Sequence, residues 1–171
     1  MVKRIFKYLL GTKRLELVYG GEERDLVGYV DVDGVSQEHR RAISGYMFMV
    51  DGGAVSWSLK KQELVTLSMT EAEDVAQTHA AKEAVWIRCL FTELFGPIDG
   101  PTTLFSNSKS AISLAHNGHY HARTKHIDIR HHFICYIIEA STIKLVYCSM
   151  DNMTAVTTSL KLNGFRTVVR G

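Results

Sequence analysis

The sequence predicts an α/β fold: a mixed sheet of about five strands flanked by helices. Three observations carry this expectation. Three strand-like runs precede the first long helical stretch, the second and third of them are joined by a hairpin signal, and strand and helix alternate from there on. A meander of antiparallel strands followed by βαβ-type crossovers needs a sheet with both antiparallel and parallel neighbours, and helices to cover it.

Taken in order, Met1 to Leu10 has helical spacing (Ile5, Tyr8, Leu9) ended by Gly11-Thr12. Leu26 to Asp33 alternates in polarity and reads as a strand. Ala42 to Val50 and Ala54 to Leu59 are rich in β-branched or aromatic residues, and Asp51-Gly52-Gly53 between them supplies the positive φ of a tight turn. Ser68 and Glu71 have the spacing of a capping box, in which each side chain satisfies an orphan amide at a helix start. From there Ala72, Val75, Ala76, Ala80, Ile87, Leu90 and Leu94 keep helical spacing until Gly96-Pro97. Thr102 to Ser106 is a short strand, Ser110 to His116 a short helix and Ile127 to Ala140 a longer one. Thr142 to Cys148 is a further strand, and a weak helix is expected from Asp151 onward.

A chain of 171 residues, 46% hydrophobic and 22% charged, fits one ordinary globular domain, and two prolines leave little room for a linker. The expected division is 1–20 as an N-terminal helix or connection, 21–162 as the folded domain and 163–171 as a C-terminal tail. Lys7 interrupts the apolar run after Lys3 and Arg4, which makes a poor secretory leader. No run of apolar residues is long enough to span a membrane. Cys89, Cys135 and Cys148 are odd in number, lack metal-ligand spacing and sit in apolar stretches, where a small buried role is expected. A formal net charge of +2 is too mild to argue for nucleic-acid binding by itself.

Six short motifs follow one another along the chain. Gly28-Tyr29-Val30-Asp31-Val32-Asp33 resembles the GYxDAD strand of copia-type retrotransposon ribonuclease H domains, and Arg41 to Phe48 resembles their RRSTSGY hairpin. Ser56 to Gln62 is similar to SWxSKKQ, Ser68 to Glu73 to SSTEAE, Ser110 to Asn117 to SAIxLAxN, and Arg123 to Asp128 to RTKHID. The start, with Lys3-Arg4-Ile5, Tyr8-Leu9 and Gly11-Thr12, resembles the segment that joins reverse transcriptase to RNase H in the same polyproteins. The resemblance implies an RNase H-like sheet. It also implies hydrolysis by two Mg²⁺ ions, one activating water and one stabilising the leaving oxygen, both held by carboxylates.

Four acidic positions of the family carry over with a split result. Asp31 matches the first-strand aspartate and Glu73 the helix glutamate; Glu71 fits less well, because the family residue precedes a tyrosine that Asp74 replaces here. The third position, three residues before Ser110, is Asn107. The fourth, in the closing DNxADxxTK pattern, is Ala155. A neutral amide and a methyl group remove two of four negative charges from a site built for hard cations. The expectation is therefore a degenerate, non-catalytic RNase H-like domain with no cofactor, Mg²⁺ entering only with residual activity. If Asp31 and Glu73 lie close without a metal, one of them should have a raised pKa.

A weak grip on an RNA–DNA hybrid or other nucleic acid is expected through Arg123, Lys125, His126, Arg130 and His131. Six histidines (His116, His119, His121, His126, His131, His132) lack the accompanying ligands of a zinc pattern, and most are expected at the surface. Trp57 and Trp86 are expected in the core. A second reading is of a different class. Glu22-Glu23-Arg24 resembles the EER motif of secreted oomycete RxLR effectors, though no RxLR precedes it. That reading makes the chain a scaffold that binds a host protein, for example to suppress host cell death. It would be secreted and then enter the host cell, whereas a retrotransposon relic is intracellular. A third reading keeps the nuclease active, with Asp33, Asp128 or Asp151 replacing the missing acids.

Overall fold

The computed structural model describes residues 2–14, 16, 19–20, 25–33, 41–117, 125–150 and 153. The elements run α1 (Val2–Thr12), β1 (Val27–Asp33), β2 (Ile43–Val50), β3 (Gly53–Lys61), α2 (Met69–Phe95), β4 (Thr102–Ser106), α3 (Lys109–Ala115), α4 (Lys125–Glu139) and β5 (Ile143–Tyr147). They form one five-stranded sheet in the order β3-β2-β1-β4-β5. β1 pairs antiparallel with β2, and β2 with β3, while β4 runs parallel to β1 and to β5. The expected mixed sheet is therefore present. The weak helix expected from Asp151 lies outside the described residues.

Local chemistry explains the boundaries. Asp51 and Gly52, with φ of 51° and 77°, form a two-residue turn whose left-handed backbone matches the strand twist, so β3 begins at Gly53. Ser68 caps α2 by accepting from the Glu71 amide at 3.2 Å. The returning carboxylate of Glu71 accepts from the Leu67 amide at 2.7 Å, one residue earlier than in the usual reciprocal box. Gly96, at φ 92°, ends the helix by donating its amide to the Thr92 carbonyl. Gly11 does not break α1, which continues to Thr12.

The core lies between one face of the sheet and helices α2 and α4. Val30, Phe48, Leu104 and Ile143 project from four strands against Ala72, Ala76, Ala80 and Ala84 of α2 and Ile134 of α4. An alanine stripe has little side chain beyond Cβ, so α2 can approach the strands closely and meet large residues with small ones. Gly28 serves the same end: a Cβ there would stand 2.6 Å from Phe48 Cε1 and 2.8 Å from Leu104 Cδ1.

Both tryptophans contradict the core expectation. Trp57 is 47% exposed and Trp86 58% exposed. Trp57 lies on β3, the sheet's edge strand, and Trp86 lies on the solvent side of α2. Of the cysteines, Cys135 is buried as expected, Cys148 is half-buried and Cys89 is exposed. No helix among the described residues is long and apolar enough to cross a membrane.

Candidate functional site: a carboxylate pair beside an amide

The parallel register of β1 and β4 sets Val30 opposite Ser106, so Asn107, just past the end of β4, lies beside Asp31, which is still within β1. The Ser68 cap fixes where α2 begins, and hence places Glu73 in its second turn over the same end of β1. Asp31 is 4% and Glu73 6% exposed. The sheet and the long helix thus bring together three of the four matched positions; Ala155 lies outside the described residues.

Asn107 Nδ2 donates to Asp31 Oδ1 at 3.2 Å, and the Val32 amide donates to the same oxygen at 2.8 Å. The amide orientation follows from charge, because turning the Asn107 carbonyl toward Asp31 would set oxygen against carboxylate. Burial above all, and then the charge of Asp31, push the Glu73 carboxyl up to about 8. The expected raised pKa is present, but desolvation rather than repulsion leads it. Without a bound cation Glu73 accordingly favours its protonated form at neutral pH, and its Oε2 has no hydrogen-bond partner among the described residues.

These residues do not fit a two-metal centre. Asn107 puts a neutral amide, its hydrogen turned toward Asp31 Oδ1, where the family pattern has a third anionic ligand. Hard divalent ions are held by anionic oxygens, and two of them bring four positive charges. Among the described residues no group of three or more His, Cys, Asp and Glu side chains is placed to hold a metal. The surrounding cleft, about 490 Å³, is lined by Thr70, Ser108 and Ser110 hydroxyls and by Lys109, whose Nζ stands 4.5 Å over the Tyr147 ring.

The basic group expected to meet nucleic acid is only partly placed. Arg123 lies outside the described residues, as do the side chains of Lys125 and His126, whose backbone opens α4. Arg130 is half-buried; its carbonyl accepts from Thr78 Oγ1 at 3.3 Å. His131 is fully buried, which removes it from any phosphate contact. Glu22, Glu23 and Arg24 also lie outside the described residues.

Sequence reasoning missed a buried polar cluster. His131 Nδ1 stands 3.5 Å from Asp74 Oδ1 and its Nε2 3.1 Å from the Asn117 carbonyl, with Cys135 Sγ 3.6 Å from Nε2. Asp74 and His131 are both sealed from solvent, and burial pushes the Asp74 carboxyl up against the opposing pull of His131. The available signal was Asp74, Gln77 and Thr78, polar residues at helical spacing inside the buried stripe of α2.

No family model matches the chain. Over 155 residues it is 40% identical to the retrovirus-related Pol polyprotein from transposon TNT 1-94 of Nicotiana tabacum, covering 90% of this chain and 12% of that one. Over 164 residues it is 31% identical to the Pol polyprotein from transposon RE1 of Arabidopsis thaliana, covering 95% and 11%. The chain therefore spans about an eighth of the length of these polyproteins. Over 89 residues it is 46% identical to the secreted RxLR effector protein 161 of Plasmopara viticola, covering 50% of this chain and 62% of that one. Among solved structures it superposes on LC11-RNase H1 in complex with an RNA/DNA hybrid, with a TM-score of 0.56 and 14% identity over 78% of this chain and 92% of that one. It also superposes on the protease–reverse transcriptase of prototype foamy virus, with a TM-score of 0.51 and 14% identity over 90% and 22%. At such identities the structures establish the fold, which is that of ribonuclease H.

Proposed function

We propose that the chain is an RNase H-like domain of the copia-type retrotransposon Pol polyprotein class, a non-catalytic one that retains a weak grip on nucleic acid; the likeness to the transposon polyproteins and the RNase H fold support the class. The observation that carries the proposal is Asn107, whose amide donates to Asp31 where the family pattern has a third carboxylate. With an amide at the third matched position and Ala155 at the fourth, two Mg²⁺ ions have no adequate anionic cradle. Misplacing a catalytic group by about 1 Å already costs about a hundredfold in rate, and removing charged ligands costs more. Support for retained binding comes from the fold's use in LC11-RNase H1, whose structure contains an RNA/DNA hybrid, and from the basic residues Arg123, Lys125, His126 and Arg130.

The test is fluorescence anisotropy and product analysis on one labelled RNA–DNA hybrid, with and without Mg²⁺. The proposal expects salt-sensitive binding and no cleavage products. Cleavage that requires Mg²⁺ and disappears in Asp31→Asn would overturn it, and would return the third reading, in which Asp33, Asp128 or Asp151 completes the site.

The likeness to a secreted RxLR effector favours a second reading, a scaffold that acts on a host protein. Mass spectrometry of the chain expressed in its source cells separates the two. An N-terminus processed near Gly20, with the product recovered inside host cells, supports the effector reading, and an unprocessed intracellular chain opposes it.

A further inference from the structure

We infer that a second pocket, formed where β2 and β3 extend past α2 and lined by Ser44, Tyr46, Ser58, Lys60, His79 and Lys82, binds a phosphate-class anion. It shares no lining residue with the cleft around Glu73 and Asn107. Its volume is about 250 Å³. That lies below the roughly 300–1,000 Å³ of sites that enclose drug-sized ligands, and suits a single tetrahedral oxyanion rather than a whole nucleotide.

Strand register builds the floor. Ser44 pairs with Lys60 and Tyr46 with Ser58, so these four side chains share one face of the sheet, and α2 brings His79 and Lys82 over them. Ser44 Oγ accepts from Gln62 Nε2 at 2.8 Å, which leaves its own proton to donate into the pocket. Tyr46 and Ser58 are already committed, Ser58 to Tyr46 and Tyr46 to Glu83. Glu83 also accepts from Ser56 Oγ at 2.5 Å.

Positive charge converges from three elements, Lys60 of β3, Lys82 of α2 and Arg130 of α4. Arg130 Nη1 is buried and has no hydrogen-bond partner among the described residues. The opposing acids are Glu83 and Glu63. Glu63 binds Lys60 at 3.0 Å, but both side chains are about two-thirds exposed (68% and 67%), and such surface pairs are screened by water and hold weakly. Lys60 is therefore free to turn to a better anion. His79 sits among these cations, and burial first, then Arg130 and Lys82, hold it below its ordinary value. An anion in the pocket reverses that field and favours the imidazolium.

The probe is inorganic phosphate, titrated into the full chain while the His79 imidazole is followed by NMR across pH, with chloride at matched ionic strength as control. The expected result is saturable binding with an upward movement of the His79 midpoint. In Lys60→Gln/Lys82→Gln both changes are at exposed positions, so the fold is retained, and phosphate affinity falls about tenfold or more, as the loss of charge-assisted hydrogen bonds implies. A His79 midpoint that moves no more with phosphate than with chloride overturns the inference, as does a response that survives in the double variant. Adding RNA–DNA hybrids with and without a 5′-phosphate then separates the sources. Displacement of phosphate by both hybrids marks a backbone phosphate, displacement by the phosphorylated one alone marks a terminal monoester, and displacement by neither marks a free phosphate ligand.

Discussion

Replacing Glu73 by glutamine removes most of the pH dependence of stability that the candidate site imposes. In the folded chain the Glu73 carboxyl ionises near 8, against an ordinary 4.5. Between those values the unfolded chain gives up a proton that the native state keeps, so rising pH favours unfolding. The contribution is fully present below 4.5 and is lost as pH rises through about 8. A midpoint displaced that far corresponds to an upper limit of roughly 5 kcal/mol, a large share of the roughly 5–15 kcal/mol that holds a typical domain together. Glutamine keeps the shape and has no proton to lose. Urea unfolding of both proteins at about pH 5 and about pH 8.5 reads the effect as a difference of slopes, which cancels any constant cost of the substitution. The natural chain is expected to lose several kcal/mol more than Glu73→Gln over that interval. Parallel losses in the two proteins would refute the buried, proton-bearing Glu73 and, with it, the electrostatic account of the site.

Three further outcomes follow from packing and buried charge. Gly28→Ala drives a methyl to 2.6 Å from Phe48 and 2.8 Å from Leu104, both fully buried, and is expected to lower the urea midpoint by the equivalent of about 1–3 kcal/mol. His131→Leu strips Asp74 of its partner in the core and is expected to cost about 3–5 kcal/mol, whereas Asp74→Leu/His131→Leu recovers much of that loss; equal losses in both would show that the pair does not act as a unit. Ser68→Ala removes the oxygen that caps α2 and is expected to cost about 1 kcal/mol by thermal or urea unfolding, with no effect on the sheet.

How much of this was legible in the sequence depended on whether a feature was local. The Asp51-Gly52 turn, the Ser68 cap and the Gly96 stop are decided within a few residues, and their elements lie within two residues of where the spacing puts them. The meeting of Asp31, Glu73 and Asn107 was legible through motif order, since no spacing rule brings residues 76 apart into contact. Trp57 shows the limit: an alternating strand reads the same at the centre of a sheet or at its edge, and β3 is the edge. The N-terminal helix shows it again, because Ile5, Tyr8 and Leu9 have helical spacing yet are exposed. The pocket beside His79 was illegible for a different reason, as its residues come from two strands and a helix and are ordinary when read separately.

This domain has the RNase H fold, and we propose that its charge pattern does not support cleavage. Hybrid hydrolysis in Mg²⁺ by the natural chain and by Asn107→Asp/Ala155→Asp tests it most directly, because the double change restores both missing carboxylates to the matched positions. Cleavage by the double variant with none by the natural chain is the predicted result. Cleavage by the natural chain, at a rate the double variant does not exceed, would contradict it.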